Sequence, residues 1–228
     1  MAEGRRRRER RLPAVVAASD CERCRPGLVT QPANTASSLA YVAAGAAALA
    51  DARRHPARDR PGARAVGWSL VAAGLGSVAY HGPGGVVGRW AHDASLLAMT
   101  GLITLADVHH GRGTQPAAAE IVAVTAVAGA AAHPRTSAVA QAVAAGGALA
   151  AEVHRQLVHG HDERRDVLAA AVFAAGLGLH VGGRTGRPLC QPGSPLQAHA
   201  AWHVLSAAAV WLRTRPAAPA DVSPPGRW

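Results

Sequence analysis

Charge is segregated along this chain, and this segregation is what most constrains its fold. Apolar stretches of about 17 to 25 residues, the length that crosses a bilayer as a helix, alternate with short connectors rich in Arg, Pro and Gly. Mean hydropathy is only +0.07 and hides this pattern, because the arginines offset the apolar stretches. The stretches predict seven helices, at about residues 33–50, 65–81, 90–108, 116–132, 137–153, 166–182 and 197–212.

A soluble, Ala-rich helical bundle is the alternative fold, because several stretches are short and Ala is only weakly apolar. A helix of such a bundle should carry a polar face at the 3.6-residue period. Residues 117–132 include only Glu120 and Thr125 as polar positions, and residues 138–151 include only Gln141. The pattern therefore favours an all-α bundle of seven transmembrane helices, in which Ala and Gly allow close approach between helices.

The predicted helical domain, residues 28–213, lies between two tails. Residues 1–27 are interpreted as a basic, mostly disordered segment, and residues 214–228 as a Pro-rich C-terminal tail. The net charge is +10, and no nucleic-acid motif surrounds the arginines. We therefore expect an integral, multi-pass membrane protein whose arginines bind anionic lipid headgroups rather than nucleic acid.

Polar residues recur at one end of the predicted bundle. Because successive helices run in opposite directions, the start of the first and third helices, the end of the second and the start of the seventh share one end, here called the site end. Ser77 and His81 end the second helix, Asp93 begins the third, and His199 and His203 begin the seventh. Ionisable residues at membrane depth are costly and rarely face lipid, so several at one level indicate a functional site.

The spacing of the histidines fits a metal ion. His199 and His203 are four residues apart and therefore lie on one helix face, as in helical His pairs that bind zinc. His81 supplies a third nitrogen, and three protein ligands with a fourth position open describe a catalytic zinc site. Ser77 lies one turn before His81, and Asp93 could exchange a proton with bound water or hydrogen-bond a ligand.

Other interpretations of these histidines remain open at this stage. Each one could be a satisfied interior residue. Pairs of intramembrane His on facing helices also ligate haem iron in electron-transfer proteins, although a haem leaves Ser77 and Asp93 without a role. His180, on the sixth predicted helix near the site end, fits either a core residue or an outer contact of the site.

Five short stretches that contain these residues resemble the motifs of the CREST superfamily, which includes the alkaline ceramidases and the adiponectin receptors. The similarity runs from about Cys21 to Leu212, nearly the whole chain. The five stretches follow the expected order: Cys21-Glu22, QPANTAS (31–37), GSVAYH (76–81), His92-Asp93 and HAAWH (199–203). The bias towards Ala and Arg suggests a GC-rich bacterial genome, and thus a bacterial member in the cytoplasmic membrane.

The resemblance implies a seven-helix intramembrane hydrolase that binds Zn²⁺ through His81, His199 and His203. It implies that Asp93 assists the water and that Ser77 stabilises the carbonyl oxygen as it becomes an oxyanion. The implied substrate is an acyl amide such as ceramide, bound within the bilayer. A ligand-sensing receptor, like some relatives in the superfamily, would keep the same residues and is an alternative.

The N-terminal segment departs from the family pattern. Alkaline ceramidases carry an acidic, calcium-binding segment there. In this chain Asp20 and Glu22 retain part of it, whereas Arg23 and Arg25 lie close by and Gln31 stands where an acidic residue is expected. Dependence on Ca²⁺ is therefore in doubt.

Orientation and one crosslink can also be predicted. Near the predicted helix ends, six arginines lie at the site end and eleven at the opposite end, which by the positive-inside rule puts the site outside. The Arg5 to Arg11 cluster argues for the reverse.

Cys21 and Cys190 both fall at the site end, where an oxidising exterior would let them pair, and alkaline ceramidases have a bridge at the matching places. We therefore predict a Cys21 to Cys190 disulfide with Cys24 free; Cys21 and Cys24 as a lone Cys-x-x-Cys are only a weak metal or redox signal.

Overall fold

A computed structural model describes residues 20–109, 121–122, 125–126, 134–159 and 163–216 of the chain. The described elements are six α-helices, with a short 3-10 helix, Ala52–Arg54, after the first, and the described residues contain no β-strand. The prediction of an all-α fold is confirmed. The helices are α1 (Pro32–Asp51), α2 (Arg60–His81), α3 (Gly85–Val108), α4 (Pro134–His159), α5 (Glu163–Gly182) and α6 (Ala198–Thr214).

Each described helix corresponds to one predicted apolar stretch, and most are longer than predicted. For example, α2 begins at Arg60, five residues before the predicted start, because a helix continues readily through Arg whereas an apolar criterion stops at a charge. The predicted helix at residues 116–132 lies almost entirely outside the described residues. The count of seven helices therefore stays a prediction.

Glycines allow the first three helices to pack closely. A Cβ at Gly45 of α1 would lie 2.7 Å from the carbonyl oxygen of Gly67 in α2. A Cβ at Gly88 of α3 would lie 2.5 Å from the carbonyl oxygen of Ala79 in α2. Neither position has room for a side chain, as is typical where helix backbones approach one another in membrane proteins. The first contact sets the second half of α1 against the beginning of α2, and the second sets the beginning of α3 against the end of α2.

The largest apolar cluster lies between α1, α2, α3 and α6, below the site end. Its side chains, of mixed size, pack between these helices, and Ala207 is the buried member that α6 contributes. The cluster fixes the position of α6 relative to α2, and therefore the position of the two α6 histidines relative to His81. Its largest members are Tyr41, Leu70, Met99 and Ile103.

An ion-pair cluster joins four helices at the end opposite the site. Arg213 of α6 contacts Asp107 of α3 and lies 2.6 Å from Glu152 of α4. Arg155 of α4 pairs with Glu152 at 2.8 Å and lies 3.5 Å from Asp166 of α5. We call these five residues the opposite-end charge cluster. Because each charge faces an opposite charge, the cluster holds α3, α4, α5 and α6 together at that end.

Within the predicted N-terminal tail, the described part packs against the site end. Asp20, Cys21 and Glu22 are buried, and Cys21 forms a disulfide with Cys190, with an S–S distance of 2.06 Å. Cys24 is free. Both parts of the cysteine prediction are confirmed. We call residues 20–31 the strap; residues 1–19 and 217–228 lie outside the described residues.

Glu22 fixes the junction between the strap and α1. Its two carboxylate oxygens accept hydrogen bonds from the backbone N–H groups of Ala33 at 2.8 Å and Asn34 at 2.9 Å. An acidic side chain at a helix N-terminus satisfies N–H groups that have no partner within the helix and interacts favourably with the helix dipole. Glu22 thus has a structural role in helix capping, which the resemblance does not imply.

One helix meets a length and hydropathy criterion for crossing a membrane. The segment Arg164–Gly182, almost the whole of α5, is long and apolar enough to do so, and no other helix in the described ranges is. With 17 residues, α6 is too short for the criterion. The remaining helices are less apolar, because they are rich in Ala and include polar residues such as Asn34, Ser38 and Asp93.

Candidate metal centre

Three histidines from two helices converge at the site end. His81 is the last residue of α2, and His199 and His203 lie in the first two turns of α6. All three side chains are buried, and one ligand nitrogen of each lies within 4.8 Å of those of the other two. The structure therefore brings together the three predicted ligands in a group that could hold a metal ion.

Gln31 of the strap fixes the ring of His81. The Oε1 atom of Gln31 lies 2.6 Å from Nδ1 of His81, and Gln31 is completely buried. An amide oxygen only accepts hydrogen bonds, so Nδ1 carries the proton and Nε2 carries the lone pair. Gln31 is itself held by the strap, because its amide nitrogen donates to the carbonyl oxygen of Glu22 at 3.2 Å.

Ser37 of α1 fixes the ring of His203 in the same way. The Ser37 hydroxyl donates its hydrogen to the carbonyl oxygen of Asn34 at 3.1 Å and lies 2.9 Å from Nδ1 of His203. Since a hydroxyl has only one hydrogen to donate, it accepts from Nδ1 of His203. The Nε2 atom of His203 is then the ring nitrogen that carries a lone pair.

His180 of α5 is an outer contact of the group rather than an isolated core residue. Its Nδ1 atom lies 3.2 Å from Nδ1 of His199, so one of the two atoms donates and the other accepts. A carboxylate oxygen of Asp20 lies 3.8 Å from the same nitrogen of His199. His199 is therefore approached on its Nδ1 side by α5 and by the strap.

The chemistry of these donors fits a metal ion. Among the described residues, Nε2 of His81 and Nε2 of His199 are buried without a hydrogen-bond partner, and such orphaned groups are rare in folded proteins unless something binds them. Each ligand nitrogen belongs to an imidazole whose other nitrogen contacts a polar group, which is the usual surrounding of metal-bound histidine. Three neutral imidazoles suit Zn²⁺ in particular.

A cavity of about 420 Å³ adjoins the histidines. Residues of all six described helices and Asp20 of the strap line it. Both predicted catalytic residues, Ser77 and Asp93, line this cavity, as do His199 and His203. The structure thus places four of the five predicted site residues around one volume, and the fifth, His81, lies in the histidine group beside it.

Asp93 has more partners than the sequence indicates. Its Oδ2 atom accepts hydrogen bonds from Arg89 at 2.9 Å and from Ser137 at 2.8 Å, and its Oδ1 atom lies 3.1 Å from Nδ1 of His92. Arg89, one helical turn before Asp93, could have been predicted as its partner. Ser137 lies 44 residues away on α4, and nothing in the local sequence indicates that contact.

The strap also controls the environment of the free thiol. Burial raises the pKa of Cys24, and the negative charges of Glu22 and Asp20 raise it further. A raised pKa keeps the thiol protonated and therefore less nucleophilic. Cys24 is a poor candidate for a reactive cysteine.

No protein-family model matches this chain, and no curated protein matches it. The resemblance to the CREST superfamily therefore stays a prediction that depends on the short motifs given above.

Proposed function

We propose that this chain is a zinc-dependent membrane hydrolase that cleaves the amide bond of a ceramide-like N-acyl lipid. The observation that best supports the proposal is the convergence of three buried histidines, two of them with an orphaned Nε2 atom. The adjoining cavity is lined by Ser77 and Asp93. A histidine group, a hydroxyl and a carboxylate around one cavity are the components of metal-assisted hydrolysis.

The exposed surface supports a multi-pass membrane protein with the seven helices that the sequence predicts. Leu75 of α2, Val143 and Leu149 of α4 and Val167 of α5 are each more than half exposed. In water, a monomeric bundle would rarely leave so many large apolar side chains uncovered. In a bilayer the same side chains would face lipid, where exposure carries no penalty.

The residues of the cavity suggest how amide cleavage would be divided among them. When bound, a zinc ion supplies Lewis acidity, which lowers the pKa of a coordinated water and polarises a carbonyl group. The Ser77 hydroxyl can donate a hydrogen bond to the carbonyl oxygen as negative charge develops there. Asp93, together with the side chains that it contacts, can move a proton from the attacking water to the leaving nitrogen.

The cavity has the mixed character that an acyl amide requires. Its volume of about 420 Å³ lies within the usual range of ligand pockets, about 300 to 1,000 Å³. Leu96 and Trp202 provide apolar surface beside the polar groups of Ser77, Asp93 and the histidines. An amide held among these polar groups could extend its acyl chain along the apolar surface towards the bilayer.

The haem alternative fits the geometry less well. Bis-histidine haem ligation needs two imidazoles on opposite faces of a flat macrocycle. Here three imidazoles meet at one point, with ring centroids of His81, His199 and His203 only 4.6 to 5.2 Å apart. This arrangement gives every ring a role in a compact site and suits a single small ion.

Hydrolysis of defined lipids tests the proposal. Purified protein in detergent, loaded with zinc, is incubated with ceramides and other N-acyl lipids, and the released fatty acid is measured by mass spectrometry. We expect release by the parental protein and by His154→Ala, because the His154 side chain is exposed on α4, and a loss of at least about 100-fold with His203→Ala. Equal release by His203→Ala would contradict the proposal, and binding of zinc and lipid without any release would favour the receptor alternative.

A further inference from the structure

His92 occupies a position that the proposed mechanism has not yet used. It precedes Asp93 on α3 and lines the same cavity. Its ring packs on Tyr80, with centroids 4.8 Å apart, and lies edge-on to the ring of His81, with centroids 6.2 Å apart. His92 is therefore an imidazole beside the three converging histidines that does not belong to their group.

The hydrogen bonds of Asp93 make it better suited to orient a neighbour than to accept a proton. A carboxylate has about four lone-pair sites. Arg89 and Ser137 occupy two sites on Oδ2, and His92 occupies one on Oδ1. Donors that stabilise the ionised form, such as Arg89 and Ser137, make a carboxylate a weaker base.

The same contacts fix the tautomer of His92. An ionised carboxylate can only accept a hydrogen bond, so Nδ1 of His92 carries the proton that contacts Asp93, and Nε2 carries the lone pair. The tautomer thus follows from the hydrogen-bond network. A carboxylate that holds an imidazole in this way is the arrangement found in many hydrolases that move protons with histidine.

We propose that His92 is the catalytic residue that carries the proton and that Asp93 is its positioning residue; this inference rests on the proposed hydrolase function. As the water oxygen bonds to the carbonyl carbon, one O–H bond breaks and Nε2 of His92 takes that proton. As the C–N bond then breaks, Nε2 returns the proton to the leaving nitrogen. One water is consumed, its second hydrogen stays with the new carboxylic acid, and the other product is an amine.

A double-mutant cycle separates this role from a direct role of Asp93. Full-length protein with His92→Gln, with Asp93→Asn and with both is purified, and zinc content is measured with the rate of amide hydrolysis. We expect His92→Gln to lower kcat by at least about 100-fold, the usual contribution of general acid and base catalysis, with zinc content unchanged. Because residues that act as one unit are strongly non-additive, we expect the double variant to be within about tenfold of the slower single variant. His154→Gln, on an exposed side chain, is the matched control and should keep the parental rate.

The kinetic outcomes that would overturn the inference are distinct from failure of the proposed function. A parental rate in His92→Gln beside an inactive Asp93→Asn would assign the proton transfer to Asp93 itself and leave the hydrolase intact. Losses that multiply in the double variant would show two independent roles and would also overturn the inference. Zinc-loaded parental protein that hydrolyses no N-acyl lipid would overturn both proposals.

Nitrogen NMR of the histidine rings tests the positioning role without turnover. The protein, with ring-¹⁵N histidine, is placed in liposomes, and the His92 signals are assigned by their loss in His92→Gln. We expect a proton on Nδ1 and none on Nε2. Asp93→Asn should reverse this tautomer. Arg89 and Ser137 both donate towards the Oδ2 position, so the amide oxygen of Asn takes that place and its NH₂ group faces His92. Because an NH₂ group donates, Nδ1 of His92 must then accept, and the ring proton moves to Nε2. A parental His92 with its proton on Nε2, or no change in Asp93→Asn, would show that Asp93 does not orient this ring.

Discussion

Replacement of Gln31 by Leu tests whether the strap supports the metal centre. Gln31 is completely buried and its Oε1 atom accepts from Nδ1 of His81 at 2.6 Å. Leu, which is of similar size, would leave the Nδ1 proton of His81 and the carbonyl oxygen of Glu22 without their partner. Each unsatisfied buried group costs about 1 to 3 kcal/mol, so we expect a clearly lower free energy of unfolding.

The larger effect should be on zinc. Loss of a partner that orients a metal-binding histidine lowers metal affinity by about 10-fold to 100-fold. At about 1.4 kcal/mol for each factor of ten, this range corresponds to about 1.4 to 2.8 kcal/mol of binding free energy. We expect Gln31→Leu to show this loss in competition with a chromophoric chelator, on detergent-purified protein that remains folded by circular dichroism.

Two variants serve as controls for Gln31→Leu. Gln156→Leu makes the same chemical change at the opposite end, where Gln156 donates to Glu152 at 2.5 Å, and should keep parental zinc affinity. Gln31→Glu keeps an acceptor beside His81 and should bind zinc at least as tightly as the parental protein. Parental zinc affinity in folded Gln31→Leu, or an equal loss in Gln156→Leu, would refute the proposed support of His81 by the strap.

Three further predictions concern packing, charge and the free thiol. Gly45→Ala should lower the free energy of unfolding by about 1 to 3 kcal/mol, because the new Cβ would lie 2.7 Å from a backbone carbonyl oxygen of α2. At Gly146 a Cβ meets nothing within 4 Å, so Gly146→Ala should leave the denaturant midpoint unchanged. Equal midpoints for the two variants would contradict this prediction. Arg213→Ala should destabilise the protein by about 3 to 5 kcal/mol, because it leaves the buried Asp107 partly unpaired. Zinc content should stay parental; loss of zinc in folded protein would show that the two ends are coupled. Burial and nearby carboxylates raise the pKa of Cys24, so near neutral pH a smaller fraction of Cys24 than of an exposed cysteine is thiolate. Its alkylation by iodoacetamide at about pH 8 should therefore be slower than that of an exposed cysteine in a peptide, and the rate should increase as pH rises. Equal rates at about pH 8 would contradict this prediction.

Most of the helical framework could be predicted because it depends on local composition. Apolar stretches bounded by Arg, Pro and Gly locate the ends of α1 to α6 to within six residues. The alternation of helix direction then brings His81 to the pair His199 and His203, which lies far along the sequence. The pairing of Cys21 with Cys190 follows from the same alternation together with the family resemblance.

The contacts around the site could not be predicted to the same depth, because they join side chains from different elements. The spacing of His199 and His203 is visible in the sequence, but the hydrogen bond between Gln31 and His81, 50 residues apart, depends on how the strap packs. The position of His180, which sequence alone left open, is decided by its 3.2 Å contact with His199.

The opposite-end charge cluster shows a further limit of sequence patterns. Arg155 and Arg213 are two of the eleven arginines near predicted helix ends at the end opposite the site, which indicate a cytoplasmic side. In the structure, Arg213 contacts Asp107 and Glu152, and Arg155 pairs with Glu152. A positive-inside count cannot distinguish such internally paired arginines from those that meet lipid headgroups, because it uses position along the chain and not contacts.

Metal analysis of the purified protein tests the central claim most directly. Protein isolated in detergent is analysed by inductively coupled plasma mass spectrometry and by visible spectroscopy, beside the triple variant His81→Ala, His199→Ala, His203→Ala. We predict about one zinc per parental chain, as expected for a site with three protein ligands, no Soret band, and no zinc in the triple variant. A Soret band in the parental protein, or zinc retained by the folded triple variant, would contradict the assignment of these three histidines as a zinc site.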